Sequence, residues 1–151
     1  MDAHVSWGEF KELAPELAAF GDGRLRLPPA YLATVRRNGA PRVHPVTPII
    51  DVEALFVFME PTSPKARDLR ERSSYALHNG VPDTEGSGGE FFIAGRAFPV
   101  TDPRVRATAT EAASYEPAVH YVLFELRLTE ARSNAYGDVR LPSTRRWSVT
   151  R

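Results

Sequence analysis

Residues 61–67, Pro-Thr-Ser-Pro-Lys-Ala-Arg, hold the chain's densest set of groups that could bind an anion. Ser63 is a favoured N-cap, and Pro64 suits the first helical position because its missing N–H would be an orphan there. A helix is therefore expected to begin here, just after the apolar run 55–59. Lys65 and Arg67 then fall in the first turn, where the helix dipole disfavours cations. A hydroxyl, free backbone N–H groups and two ill-placed cations are jointly satisfied by one phosphate group. The alternative is a solvated helix in which Asp68 and Glu71 pair with Lys65 and Arg67. Surface pairs of that kind contribute about 0.2–1 kcal/mol.

The surrounding pattern is mainly β. Strands are expected at 31–37 and 41–50, joined at Asn38-Gly39, whose tolerance of positive φ at both central positions predicts a tight hairpin. In the second strand Val43, Pro45, Thr47 and Ile49 point one way and His44, Val46, Pro48 and Ile50 the other. Pro41, Pro45 and Pro48 each remove a ladder donor, so regular pairing on both sides is impossible. Further strands are expected at 55–59, 75–79, 90–100 and 119–129, with a bulge or bend at Gly95. The residues 131–136 and 139–147 supply a final strand or two. Leu55, Val57 and Met59 alternate with Phe56 and Phe58, which predicts burial on both faces. His120, Val122, Phe124, Leu126 and Leu128 are expected to share a face.

Helices are expected around this sheet. Ser6-Trp7-Gly8-Glu9 has capping-box spacing, and Phe10, Leu13, Leu17 and Phe20 recur at helical intervals. Pro15 should split that run in two, and Gly21-Asp22-Gly23 should end it before Pro28-Pro29 leads into the first strand. Asp102-Pro103 opens another helix to about residue 114. The Gly-rich stretch 80–89 reads as a connector, because no helix follows Gly86-Ser87-Gly88-Gly89 and the P-loop Lys-Ser/Thr pair is missing.

This ordered set resembles the pyridoxamine 5'-phosphate oxidase-like family of flavin-binding split barrels. The likeness rests on 31–41, Pro45-Val46-Thr47-Pro48, 55–59, 63–69, Gly95-Arg96-Ala97, 100–103 and the late strand 122–128, and so covers most of the chain. It implies a split β-barrel of the flavin mononucleotide (FMN)-binding type, antiparallel-dominated, in one domain over 1–151. Residues 1–23 form the helical segment and 24–151 the barrel. It implies FMN bound by its phosphate at Ser63, Lys65 and Arg67. The flavin ring lies along the backbone of Val46 and Thr47, the backbone of Met59 sits near the ribityl chain or ring, and His44 occupies a position that tends to be basic. It further implies a homodimer with the flavin at the subunit interface, where Arg146 and Trp147 are candidates to close the partner's site. Pro64-Lys65, Ile49 and the tail from Arg140 to Trp147 depart from authentic pyridoxamine phosphate oxidases, so vitamin B6 oxidation is not expected. A deazaflavin coenzyme fits the Ser-x-Lys-x-Arg pattern about as well.

Bulk properties set the bounds. The chain has 151 residues, with 19 Lys plus Arg and 19 Asp plus Glu, for a formal net charge of zero. That length suits one domain with a sizeable core, and the balance argues against a nucleic-acid partner held by a broad cationic field. With no cysteine, thiolate metal sites and nucleophiles are excluded. No leader pattern or bilayer-length apolar stretch is present, so a cytoplasmic protein without membrane contact is expected. His4, His44, His78 and His120 show no metal-binding spacing, and no metal is expected. There is no nucleophile elbow and no nicotinamide fingerprint. Nothing places two carboxylates in one cleft, and no catalytic side chain is assigned.

Two functions follow. One is a flavin-dependent oxidoreductase acting on a small molecule, in which the cofactor performs the chemistry. The other is a barrel that carries, stores or senses flavin or haem without turnover. An oligonucleotide-binding barrel is a weaker third, because the aromatics sit in apolar runs rather than among exposed basic residues.

Overall fold

The computed structural model describes residues 3–27, 29–85 and 87–149. Pro28 and Gly86, named above in a connector and a loop, lie outside them. Among the described residues the chain forms four short helices and one curled, eight-stranded antiparallel sheet. The fold is therefore mainly β, as expected.

The first helical run divides at its proline into α1 (Trp7–Leu13) and α2 (Pro15–Leu25). The capping box forms: Glu9 N–H donates to Ser6 Oγ and Ser6 N–H to the Glu9 carboxylate, both at 3.1 Å. Two expectations fail here. Leu13 is 62% exposed, because the break at Ala14 resets the helical phase and Trp7 joins Phe10, Leu17 and Phe20 in the core instead. Gly21 and Gly23 do not end the helix. Gly21 lies against the Phe91 ring, where a Cβ would come within 2.3 Å, so it serves close packing rather than termination.

The strands are β1 (Ala30–Val35), β2 (Pro41–Val46), β3 (Ile49–Ile50), β4 (Leu55–Met59), β5 (Ser74–Asn79), β6 (Glu90–Pro99), β7 (Val122–Asn134) and β8 (Arg146–Ser148). Between them lie α3 (Pro64–Glu71) and α4 (Pro103–Ala112). Sheet order is β2-β1-β5-β6-β7-β4-β3, with β8 added alongside β7. The stretch expected as one strand over 41–50 is thus two. Its first half pairs with β1 at one edge of the sheet and its second half pairs with β4 at the other. Thr47-Pro48 makes the crossing, where a residue without an N–H cannot extend either ladder. The barrel is split there because the same segment supplies both edges.

The hairpin between β1 and β2 closes differently from expectation. Gly39 alone takes positive φ, at 86°, while Asn38 stays in the ordinary region and accepts the Ala40 N–H on its side chain at 3.0 Å. Gly39 N–H bonds to Arg36 O and Arg36 N–H to Ala40 O, giving a three-residue turn that ends in a left-handed glycine.

The longest ladder, β6 with β7, shifts register between Ala94 and Gly95. The buried positions of β7 change phase across this bulge, from Phe124, Leu126 and Leu128 to Ala131 and Ser133. The residues 131–136, expected as a separate strand, are therefore largely the second half of β7, and of 139–147 only Arg146 and Trp147 enter β8, together with Ser148. His120 lies outside β7, exposed, with its Nε2 2.8 Å from Glu60.

Alternation in β4 sorts side chains as expected. Leu55, Val57 and Met59 enter the main core with α1, α2 and α3, while Phe56 and Phe58 enter a second cluster with Ala109 of α4. No helix among the described residues is long and apolar enough to cross a membrane.

Candidate functional site

Helix α3 starts where expected, with Ser63 as N-cap and Pro64 in the first turn. The Ser63 hydroxyl is fully used by the cap: it accepts the Ala66 N–H at 3.3 Å and donates to Glu60 O at 2.7 Å. Arg67 N–H bonds to Ser63 O. Lys65 N–H has no partner among the described residues, so one backbone donor stands open at the helix start.

Helix α3 packs against β1 and β6, and its Asp68 reaches Thr34 of β1 and Arg42 of β2. Register places Thr34 beside Arg42, Leu32 beside His44 and Ala30 beside Val46. Alternate residues of β2 thus line up on its inner face in the order Arg42, His44, Val46, about 7 Å apart. Val46 shares the main core with Met59, Ala66 and Leu69, which brings the end of β2, the end of β4 and the start of α3 together.

Asp68, nearly fully buried, organises the far end of this row. It accepts from Thr34 Oγ1 at 2.7 Å and from Arg42 Nε at 2.8 Å, with Arg72 at 3.8 Å. Burial opposes its charged form, but the bonds from Arg42 and Thr34 and the charges of Arg42 and Arg72 outweigh that and hold its carboxyl below the usual range. A lowered folded-state pKa means stability that is present above the unfolded value and lost as pH falls through the folded one. Asp68→Asn is expected to cost about 2 kcal/mol at neutral pH, the scale of hydrogen bonds to a charged group. It should also flatten the acid limb of stability below about pH 4, near the unfolded Asp pKa. Urea unfolding of both proteins between neutral and acid pH checks this.

These pairings rule out the ion pairs that one of the two sequence readings of α3 expected. Asp68 is held by Arg42 and Arg72, and Glu71 by Arg72 and Arg37. Neither pairs with Lys65 or Arg67, which have no ion pair among the described residues. Lys65 is partly buried, and burial depresses its pKa. Beside it, His44 Nε2 is buried with no hydrogen-bond partner. Burial, then the charges of Lys65 and Arg42, lower the His44 pKa against the opposing Asp68. An orphaned ring nitrogen, a partly buried ammonium and an open N–H together fit an anionic group.

The remaining expected residues sit as follows. Thr47 is partly exposed at the split, and no strand pairs with the outer edge of β2 among the described residues. Met59 is buried and pairs with Val122 on one side, while β3 reaches only Phe56 and Leu55 on the other, so its second backbone edge faces the split. Arg67 is exposed and lines a neighbouring cleft rather than the space beside His44. Arg146 is exposed in β8, and Trp147 packs on Phe10 of its own chain with ring centroids 5.1 Å apart. Sequence reasoning missed Arg42 and Thr34, although Arg42 stands two residues from His44 on the same strand face.

Carboxylates do meet in one cleft, a grouping that nothing in the sequence places. A cavity of about 380 Å³ is lined by Glu9, Asp51, Glu53 and Glu125 with Arg127. Burial, opposed by Arg127 and aided by Asp51, pushes the Glu125 carboxyl up. The grouping draws Glu9 from α1, Asp51 and Glu53 from the turn between β3 and β4, and Glu125 from β7, which no local spacing reveals.

The sequence matches no family model and no curated protein. The structure does have counterparts. A haem-binding protein from Mycobacterium smegmatis matches with TM-score 0.64 at 21% identity, over 95% of this chain and 59% of that one, so this chain spans about three fifths of its length. HutZ, the haem storage protein from Vibrio cholerae, matches with TM-score 0.64 at 19% identity, over 83% and 96%. A candidate pyridoxamine 5'-phosphate oxidase from Listeria innocua matches with TM-score 0.61 at 15% identity, over 80% and 97%. At identities of this order the likeness is one of fold: a split barrel shared with pyridoxamine 5'-phosphate oxidase-like proteins.

Proposed function

We infer that this chain binds FMN by its phosphate at the start of α3 and acts as a flavin-dependent oxidoreductase on a small molecule, as a homodimer. The observation that carries the reading is His44 Nε2, buried and partnerless beside Lys65, which is partly buried and has no ion pair among the described residues. Bound flavin supplies the hydride and electron chemistry. The chain's residues bind and orient it. Lys65 offers an ammonium and a backbone N–H, and His44 offers a ring nitrogen. Ser63 holds the helix start in place, since its own proton is already given to Glu60 O. Arg67 adds positive potential from the adjoining cleft. The backbone at Val46-Thr47 and at Met59 borders the split where a planar ring can enter.

The homodimer is supported by the outer face of the sheet. Register sets Val43, Ala33, Ala76 and Ala94 in one cross-strand row and Pro45, Tyr31, His78 and Phe92 in the next. Val43 and Tyr31 are 61% and 44% exposed. A surface of small and aromatic side chains, beside the split, suits a second copy better than solvent.

A deazaflavin coenzyme would use the same phosphate contacts. A non-catalytic carrier is the second reading, favoured by the two haem proteins among the structural counterparts. The test is an absorbance spectrum of natively purified protein with the mass of the released ligand, followed by FMN titration of stripped protein. Bound FMN that bleaches with a reduced nicotinamide supports the reading. Stable binding without turnover moves it to the carrier, a haem spectrum replaces flavin by haem, and failure of FMN to bind refutes it.

A further inference from the structure

We propose that the arginine cleft beside α3 is a second anion subsite, one that takes a polyphosphate group. The cleft has a volume of about 460 Å³, and Arg36, Arg37, Arg42, Arg67 and Arg72 line it against the carboxylates of Asp68 and Glu71. This is a local concentration in a chain whose charges cancel overall. The two carboxylates are already committed. Asp68 serves Arg42 and Arg72, and Glu71 serves Arg72 at 3.0 Å and Arg37 at 3.7 Å. Arg36 and Arg67 have no ion pair among the described residues. Five guanidiniums sharing two acids repel one another unless an anion joins them.

The backbone under these side chains is fixed. The turn carrying Arg36 and Arg37 is closed by Gly39 N–H to Arg36 O at 2.8 Å and Arg36 N–H to Ala40 O at 2.9 Å. Arg72 Nε donates to Val35 O at 2.8 Å, tying the end of α3 to β1. Guanidinium forks match phosphate oxygens in pairs, which favours phosphate over a single halide or acetate. A concave site rather than an extended stripe, on a chain with no net charge, favours a small molecule over nucleic acid. Arg42 is common to this cleft and to the row that leads to His44, so the two anion positions adjoin. Their pairing with a cofactor phosphate rests on the function proposed above; the subsite itself stands on the arginines.

The test is calorimetric titration of the full chain with inorganic tripolyphosphate at low salt. Saturable binding is expected, weakened at least about tenfold in the double variant Arg36→Ser, Arg37→Ser and by added salt, as for charge-assisted contacts to exposed groups. Both side chains are exposed at a turn, so the melting temperature of that variant should stay unchanged, and its FMN affinity should stay within about threefold of the parent. Absence of saturable binding, or binding indifferent to the double substitution, overturns the proposal. Lys65→Ala should keep tripolyphosphate binding while weakening FMN binding about tenfold or more, so failure of one reading leaves the other measurable. Displacement of tripolyphosphate by flavin adenine dinucleotide but not by FMN identifies the group as the second phosphate of a dinucleotide cofactor. Binding of tripolyphosphate that persists beside either flavin identifies it as part of a separate phosphorylated molecule.

Discussion

Lys65→Ala is expected to weaken FMN binding about tenfold to a hundredfold, because a hydrogen bond to a charged group contributes about 1.5–3 kcal/mol and each 1.4 kcal/mol is tenfold. The same change should leave the unliganded fold as stable as before. Lys65 is partly buried, its charge is disfavoured by that burial, and no carboxylate among the described residues repays it. Removing such a group takes away a cost rather than a contact. Ser63→Ala should behave in the opposite way. Its hydroxyl bonds to Ala66 N–H and Glu60 O, so losing it costs about 1 kcal/mol of stability as a cap. Equilibrium dialysis with FMN and thermal unfolding of both variants separate the two roles. A Lys65→Ala protein that binds FMN normally would remove the phosphate from this helix.

Gly95→Ala is expected to cost about 3 kcal/mol or more, the upper range for overpacking. A Cβ at Gly95 would stand 1.9 Å from the Arg127 carbonyl oxygen, 2.9 Å from its carbon and 3.0 Å from Leu128 Cα. All three atoms are backbone of β7, so no side chain can swing aside. The bulge between β6 and β7 must open, and with it the phase change that buries Leu128 on one side and Ala131 on the other. Against a net stability of about 5–15 kcal/mol this is a large fraction. Melting should fall by about 10 °C for a chain of this size. Gly23→Ala is the control: it lies in α2 with open space around its Cβ, and should raise stability by up to about 1 kcal/mol. Equal effects at the two glycines would mean that the contact at Gly95 carries no strain.

The local elements were legible because local chemistry decides them. Ser63 and Pro64 specify a helix start whatever surrounds them, and Ser6 with Glu9 specifies another. Alternation in 55–59 placed Leu55, Val57 and Met59 opposite Phe56 and Phe58, and the two clusters follow that division. Spacing failed where partners lie far apart in sequence. Leu13 fits a helical face, but the Pro15 break turns it to solvent. Gly21 looks like a stop signal, and only the Phe91 ring explains it.

The amino-acid sequence by itself determined a mainly β chain, a capped helix bearing Lys65 and Arg67, and a proline-interrupted strand carrying His44. The tertiary structure decided which charges are spent. It gave Asp68 to Arg42 of β2 and Thr34 of β1, 26 and 34 residues away, and so left Lys65 without an ion-pair partner among the described residues. It also put both edges of the split on one segment, crossing at Thr47-Pro48. The physical reason is that burial and ion pairing depend on neighbours brought in by strand order, whereas caps, turns and alternation depend on a few adjacent residues.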